Sequence, residues 1–402
     1  MVSQKRGFLI LITCCGMLWL GVNDGLAQGP IADFHKILRD KAAFAESDFT
    51  ALDRGEAVIK LLTARDKREI AMCGMVRLQA SAEMFLQSFR ENMTRKNNSA
   101  ILEIGSFANP PSLADLQALT IEDRDLEDLR ECAVGDCRLK LSAAMIERLH
   151  KEVDWEAPNY RIQVARLLKQ MLVDYVRDYL VRGDAALIQY DDKSKGIRLA
   201  DEQHELLVAS SYDSLADLNG NAAKPELSIV ENAIVWSKIK FGLKPVISIN
   251  HITIYKQAQK FGAQIVIVSK QIYANHYFDS SLALTAFLDV PGPKPTSYLL
   301  YENRSRVDGL EGAFSKIKRG FIEDRAFNSL ESILHQSQLS LEARALNLDA
   351  AGAPVAFEYN WRRWKVGRLH IFVSLLSITA LAMLFGLRAY GWRRNISRGT
   401  PY

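Results

Sequence analysis

The sequence predicts an α+β domain, built on an antiparallel sheet and a long C-terminal helix and followed by one C-terminal transmembrane helix. Three observations carry this. Four runs rich in Ile, Val, Tyr and Leu follow one another closely: Pro245–Tyr255, Gln264–Tyr273, Ser281–Asp289 and Ser297–Arg304. Their short connections, with Gly262 in one and Pro291-Gly292-Pro293 in another, fit antiparallel neighbours. A helical stripe of Leu310, Phe314, Ile317, Phe321, Ala326, Leu330 and Ile333 then predicts a long helix from about Leu310 to Ala345, weakened locally by Gly320. Last comes an uncharged run of 19 residues, Leu369 to Leu387, long enough to cross a bilayer as a helix.

The remaining elements follow in chain order. Residues 31–48 read as a short polar helix. Ala57–Thr63 and Ile70–Leu78 read as a hairpin around the charged turn Arg65-Asp66-Lys67-Arg68. Ala80–Glu91 turns helical, with Met84, Phe85, Ser88 and Phe89 to one side. Residues 109–138 read as a surface excursion of short helical turns. Ser142 caps a helix to His150. The clearest amphipathic helix is Tyr160–Arg182, with Val164, Leu168, Met171, Tyr175 and Tyr179 on one stripe and Gly183 as its stop. That stop accounts for the tripeptide Arg182-Gly183-Asp184. Ala186–Tyr190 reads as a weak strand, and residues 191–233, broken by Gly220 and Pro225, as helical excursions and loop. Leu346–Tyr359 begins a tether spanning residues 346–368.

The N-terminus has Lys5 and Arg6, an apolar stretch from Gly7 to Val22, and Gly25-Leu26-Ala27. This reads as a signal peptide, residues 1–27, cut after Ala27. An uncleaved anchor is the alternative, but the stretch is shorter than the ~20 residues a span needs. Trp361, Trp364, Tyr390 and Trp392 suit the two interfaces of the span at 369–387. Four basic residues flank it on each side, so the signal peptide decides the orientation: residues 28–345 outside, residues 388–402 in the cytoplasm. The expected location is a cell membrane, crossed once, with the bulk extracytoplasmic and periplasmic in a Gram-negative cell.

Charge supports this division. The chain carries +4 in all, of which residues 1–27 supply +1 and residues 361–402 supply +8, leaving −5 on residues 28–360. A mildly acidic domain argues against a nucleic-acid partner. Three cysteines follow the cleavage site. Cys132 and Cys137 can pair across a small loop, with free thiols or a redox pair as alternatives, while Cys73 reads as a small core residue. Asn92-Met93-Thr94, Asn97-Asn98-Ser99 and Asn303-Arg304-Ser305 match the glycosylation sequon, which matters only on a eukaryotic route. No HExxH, G-x-S-x-G, GxxxxGK[ST] or GxGxxG occurs, and no Cys/His spacing resembles a metal site, so the residues imply no cofactor.

The order of hairpin, helix, excursion, antiparallel strands and long last helix is similar to that of START-like and polyketide-cyclase-like helix-grip domains. The pieces that carry the likeness are Ala57–Leu78 with Ala80–Glu91, and Pro245–Arg304 with Leu310–Ala345. The resemblance implies a curved sheet wrapped around the last helix and a cavity for an apolar or amphipathic molecule. Residues 92–240 exceed that pattern. The chain's ends also resemble those of bacterial membrane-anchored families, which implies no activity.

Polar residues among the apolar strands are the candidate ligand contacts: His251, Tyr255, Tyr273, His276, Tyr277, Asp279 and Arg304. The functional expectation is a polar patch at a cavity mouth, orienting a ligand headgroup or binding a metal. The plainer one is turn residues and hydrogen-bonded core histidines, with Arg304, Arg306 and Asp308 forming a salt-bridged cap before the last helix. A hydrolase acting on envelope material, or a structural partner of another membrane protein, are the rival functions.

Overall fold

The computed structural model describes residues 29–96, 100–211, 228–241, 243–259, 262–290, 296–310 and 315–351. Ten strands and eight helices are found among them. Helices α1 (Gly29–Ala42) and α2 (Glu46–Asp53) precede the hairpin β1 (Val58–Leu61) and β2 (Glu69–Leu78). Next come α3 (Ala82–Asn92) and β3 (Ile101–Ser106). An insertion of α4 (Asp123–Arg130), α5 (Ala143–Glu152), α6 (Tyr160–Arg182), the short pair β4 (Gln189–Tyr190) and β5 (Ile197–Arg198), and α7 (Leu199–Ala209) separates them from the sheet's centre. Five long strands follow: β6 (Ser228–Phe241), β7 (Lys244–Gln259), β8 (Gly262–Ala274), β9 (Phe278–Val290) and β10 (Thr296–Val307). Helix α8 (Ser315–Ala351) comes last.

Eight strands form one antiparallel sheet in the order β1-β2-β10-β9-β8-β7-β6-β3. The N-terminal hairpin therefore docks on the last strand. Strand alternation divides the side chains between two faces. The inner face meets α3 and α8 through Ile70, Met72, Val76, Phe85, Val235, Ile252, Ile267, Phe287, Leu299, Leu330 and Leu334. The outer face is covered at one end by α1 and α2, around Leu38, Phe49, Leu52, Met75 and Leu300. At the other end it is covered by α4, α5 and α6, around Leu129, Leu149, Leu168, Val176, Trp236 and Ile272. Helix α7 lies against β9 between them. Phe241 of β6 and Ile70 of β2 line one cavity of about 20 Å³ with Ile322 and Ala326 of α8, although four strands separate them in sheet order.

Gly74 seats the last helix. A Cβ there would lie 2.7 Å from Leu334 Cδ1 and 2.8 Å from Leu330 Cδ2, so only glycine admits both leucines. The buried stripe of α8 is Ala326, Leu330, Leu334 and Leu341, and Ile317, expected on that stripe, is exposed. Leu310 belongs to a 3-10 turn, Asp308–Leu310, before the helix. The predicted caps are present: Ser142 Oγ accepts from Met145 N at 3.3 Å, and Gly183 ends α6 with φ +57°.

Four readings need correction. Residues 31–48 divide into two helices at Ala43, which has φ +52°. The polar stretch 191–233 holds α7, a helical excursion as expected, but also β5 and the start of β6, a strand that was not foreseen. Strand β3 was not foreseen at all. Helix α8 runs to Ala351, past its expected end at about Ala345. The sequon at Asn303 is closed, because that side chain is buried. The signal peptide at 1–27, the sequon at 97–99, residues 352–368, the span at 369–387 and the tail at 388–402 lie outside the described residues. Among the described residues no helix is long and apolar enough to cross a membrane.

Candidate functional site

The seven candidate contacts divide among three places; six belong to the outer face or its end, and Tyr277 packs on the inner core, its ring 5.4 Å from that of Phe241, which lines the cavity beneath α8. His251 projects from β7 toward the C-terminal turns of α6. Its Nδ1 lies 2.8 Å from Tyr179 Oη and its Nε2 3.1 Å from Asn232 Oδ1. An amide oxygen can only accept, so His251 carries its proton on Nε2 and accepts from Tyr179 through Nδ1. Lys270 lies over the Tyr179 ring and pairs with Asp184. Burial, then the Lys270 ammonium, lower the His251 pKa to about 4. Tyr255 lies further along the same face of β7.

The second place is the turn between β8 and β9. Tyr277 has φ +61°, a left-handed conformation that a bulky residue adopts only when its surroundings impose it. Here Lys244 N donates to Tyr277 Oη at 3.1 Å, and Asp308 N donates to the Tyr277 carbonyl at 2.8 Å. The turn projects two buried ionisable groups into separate networks. His276 Nε2 is 3.0 Å from Asp125 Oδ2, and Lys244 Nζ donates to Asp125 Oδ1 at 2.8 Å. Burial alone would raise the Asp125 carboxyl, but His276 and Lys244 outweigh it and hold it below the usual range. Asp279 receives Lys140 Nζ at 2.8 Å and Arg68 Nη1 at 2.7 Å.

Lys140 is 2% exposed and also faces Asp308 at 3.3 Å and Asp192 at 3.8 Å. Burial would lower its pKa, yet Asp279, Asp308 and Asp192 together raise it. Burial raises the Asp192 carboxyl, with Lys140 opposing. The Cys132–Cys137 disulfide places these groups: Gly135 N donates to Asp191 O and Cys137 N to Asp192 O, so the closed loop holds the 191–192 segment beside Lys140. Tyr273 is buried nearby in the outer core. Burial holds its phenol well above the usual range, and its hydroxyl meets no partner among the described residues.

The third place is β10. Arg304 bonds Glu69 at 2.7 Å and Glu302 at 2.8 Å, and Ser211 N donates to Glu302 at 3.0 Å. Arg306 instead bonds Glu202 and Glu205 of α7, each at 2.6 Å, and Glu202 also takes Arg68. Asp308 pairs with Lys140 and Lys193. Of the expected cap, Arg306 and Asp308 are joined through Glu202, Arg68, Asp279 and Lys140, which ties α7 and the insertion to the sheet, while Arg304 pairs apart from them with Glu69 and Glu302. Among the described residues no group of three or more His, Cys, Asp and Glu could hold a metal.

A different polar feature lies on the inner face, of which the sequence singles out only Asn250 and Gln271 as polar among apolar neighbours. Ser237 on β6, Ser248 and Asn250 on β7, Gln271 on β8, Ser281 on β9, and Asn303 and Ser305 on β10 form a row across five neighbouring strands. All seven are buried. Ser237 and Ser248 hydroxyls meet at 3.2 Å, and Asn250 Nδ2 donates to Ser248 Oγ at 3.2 Å. Ser281 and Ser305 hydroxyls meet at 2.8 Å, and Ser305 Oγ donates to Asn303 Oδ1 at 2.8 Å. Gln271 lies between these two groups, and its Nε2 meets no acceptor among the described residues. Asn303 and Ser305 also line the 20 Å³ cavity, opposite Phe241 and Phe278.

No protein-family model matches the chain, no curated protein is similar to it, and no solved structure matches it.

Proposed function

We propose that this chain is an exported domain, tethered to a membrane by residues 369–387, that binds an amphipathic small molecule between α8 and the sheet. The inner polar row carries this reading. A fold needs no hydroxyls or amides at the centre of an apolar face, and an unpaired buried amide costs on the order of 1–3 kcal/mol. Binding sites place a few polar groups among apolar walls in this way. The bend that brings Phe241 near Ile70 agrees with the helix-grip resemblance. The disulfide agrees with an oxidising compartment.

The cavity supports a second reading. Its 20 Å³ holds about one water molecule. A filled interior favours a structural partner of another membrane protein, unless α8 moves to admit a ligand. The hydrolase reading has no comparable support, since the outer acids, bases and guanidiniums are largely engaged with one another.

Two measurements test the proposal. A reporter fused after Tyr402 should be active only in the cytoplasm, and activity on the far side would reverse the orientation. Organic extraction of the full chain, purified from its own membrane, should yield one amphiphile in near-stoichiometric amount. Extracts matching the bulk lipid would leave the structural-partner reading in its place.

A further inference from the structure

The seven side chains of the inner row are four hydroxyls and three carboxamides, none of which ionises. We propose that the row recognises the polar group of an uncharged amphiphile, with Gln271 Nε2 donating to its oxygen. This rests on the ligand-binding reading above and names the class of ligand.

Chemistry selects the class. A carboxylate or phosphate brought against this row would lose its hydration and find no counter-charge, which costs far more than moving a hydroxyl, ester or amide. The ion pairs bordering the face near α3, Arg90–Glu231 at 2.7 Å and Lys256–Glu83 at 3.5 Å, are each closed on themselves. Within the row the serines and asparagines on either side of Gln271 bond one another, which leaves the Gln271 amide as the donor available to an incoming oxygen. Phe241, Phe278, Ile322 and Ala326, across from Asn303 and Ser305, supply apolar wall for the rest of the molecule.

The helix is fastened unequally, which sets the way in. Leu330 and Leu334 lock its middle over Gly74. The turns before them are held through polar contacts of Arg319 with the carbonyls of Glu69 and Lys67 and through Ile322 and Ala326 on the core, so entry requires residues 315–326 to lift while the middle stays seated.

The test uses the full chain in phosphatidylcholine nanodiscs, with 1-oleoylglycerol, oleate or lysophosphatidylcholine added and Tm recorded. The expected result is a rise of several degrees with 1-oleoylglycerol alone, accompanied by slower hydrogen exchange over residues 315–326. Gln271→Leu should keep or raise the basal Tm and lose the rise, and Asn303→Leu, which takes the acceptor of Ser305 away, should lower the basal Tm and lose the rise as well. Ser305→Ala, a smaller change, should weaken it. Equal rises with the charged amphiphiles, or a rise retained in Gln271→Leu and Asn303→Leu, would overturn the assignment while leaving ligand binding standing. No rise with any of the three would overturn both.

Discussion

Lys140 is the residue on which the outer face most depends. Its ammonium is the shared counter-charge of Asp279, Asp308 and Asp192. Lys140→Met should destabilise the protein by about 3–5 kcal/mol, because buried carboxylates would lose their partner. The urea midpoint of that variant should recover partly on acidification, as the carboxylates take up protons. His251 makes the opposite kind of contribution. Its folded pKa of about 4 lies below the 6.5 of an unfolded histidine. Between those values the unfolded chain binds more protons, so stability contributed by neutral His251 is complete above pH 6.5 and falls as pH drops toward 4. After allowance for partial exposure the loss is about 2 kcal/mol. His251→Gln should flatten the dependence of Tm on pH in that window, and an unchanged slope would remove His251 as its source. These residues show where sequence reading stops. His276, Asp279 and Arg304 stood out as polar among apolar neighbours, but their partners Asp125, Lys140 and Glu69 are 151, 139 and 235 positions away. The inner row did leave a local trace. Ser248 with Asn250, and Asn303 with Ser305, repeat at a spacing of two, which places each pair on one strand face.

Elements were more legible than pairings. The strands from β7 to β10, the β1–β2 hairpin and helices α3, α5 and α6 were all visible, because β-branched runs, apolar stripes, caps and the Gly183 stop mark them locally. Strand β3 was not visible: its sequence Ile-Leu-Glu-Ile-Gly-Ser is short, and Gly105 weakens it as a strand. That glycine is needed because Trp236 lies across it, 2.7 Å from where a Cβ would be. Strand β6 was not visible either: it begins in a polar stretch, and residues 234–241 carried no assignment. Two substitutions probe the elements directly. Gly74→Ala should cost about 1–3 kcal/mol by pushing Leu330 and Leu334 outward. The urea midpoint would fall and hydrogen exchange along α8 would quicken. Cys132→Ser should cost about 2 kcal/mol, the chain-entropy value for so small a loop. Its effect should extend to the 191–192 segment, seen as faster exchange at Cys137 N.

At the scale of the whole molecule, the sheet is a partition. One face packs against α3 and α8, and the other carries two helical coverings with α7 between them. Layering of this kind needs strands buried on both sides, as β10 is from Ser297 to Val307, with ion pairs and hydrogen bonds engaging its polar half. On the proposed anchoring, replacing residues 369–387 with a polar linker should release the protein from the membrane fraction, and an unchanged Tm would show that the run does not pack on the domain. A change in Tm would mean that the run also packs on the domain. The seat at Gly74 has a mechanical consequence for a tethered protein. On the proposed anchoring, tension from the bilayer would travel up α8 as shear and load the β2 side of the sheet, at the Gln338 contacts with Gly55 and Arg77 and at the Gly74 notch. Under load in optical tweezers the β1–β2 hairpin should peel first, with β6 to β10 holding together to higher force.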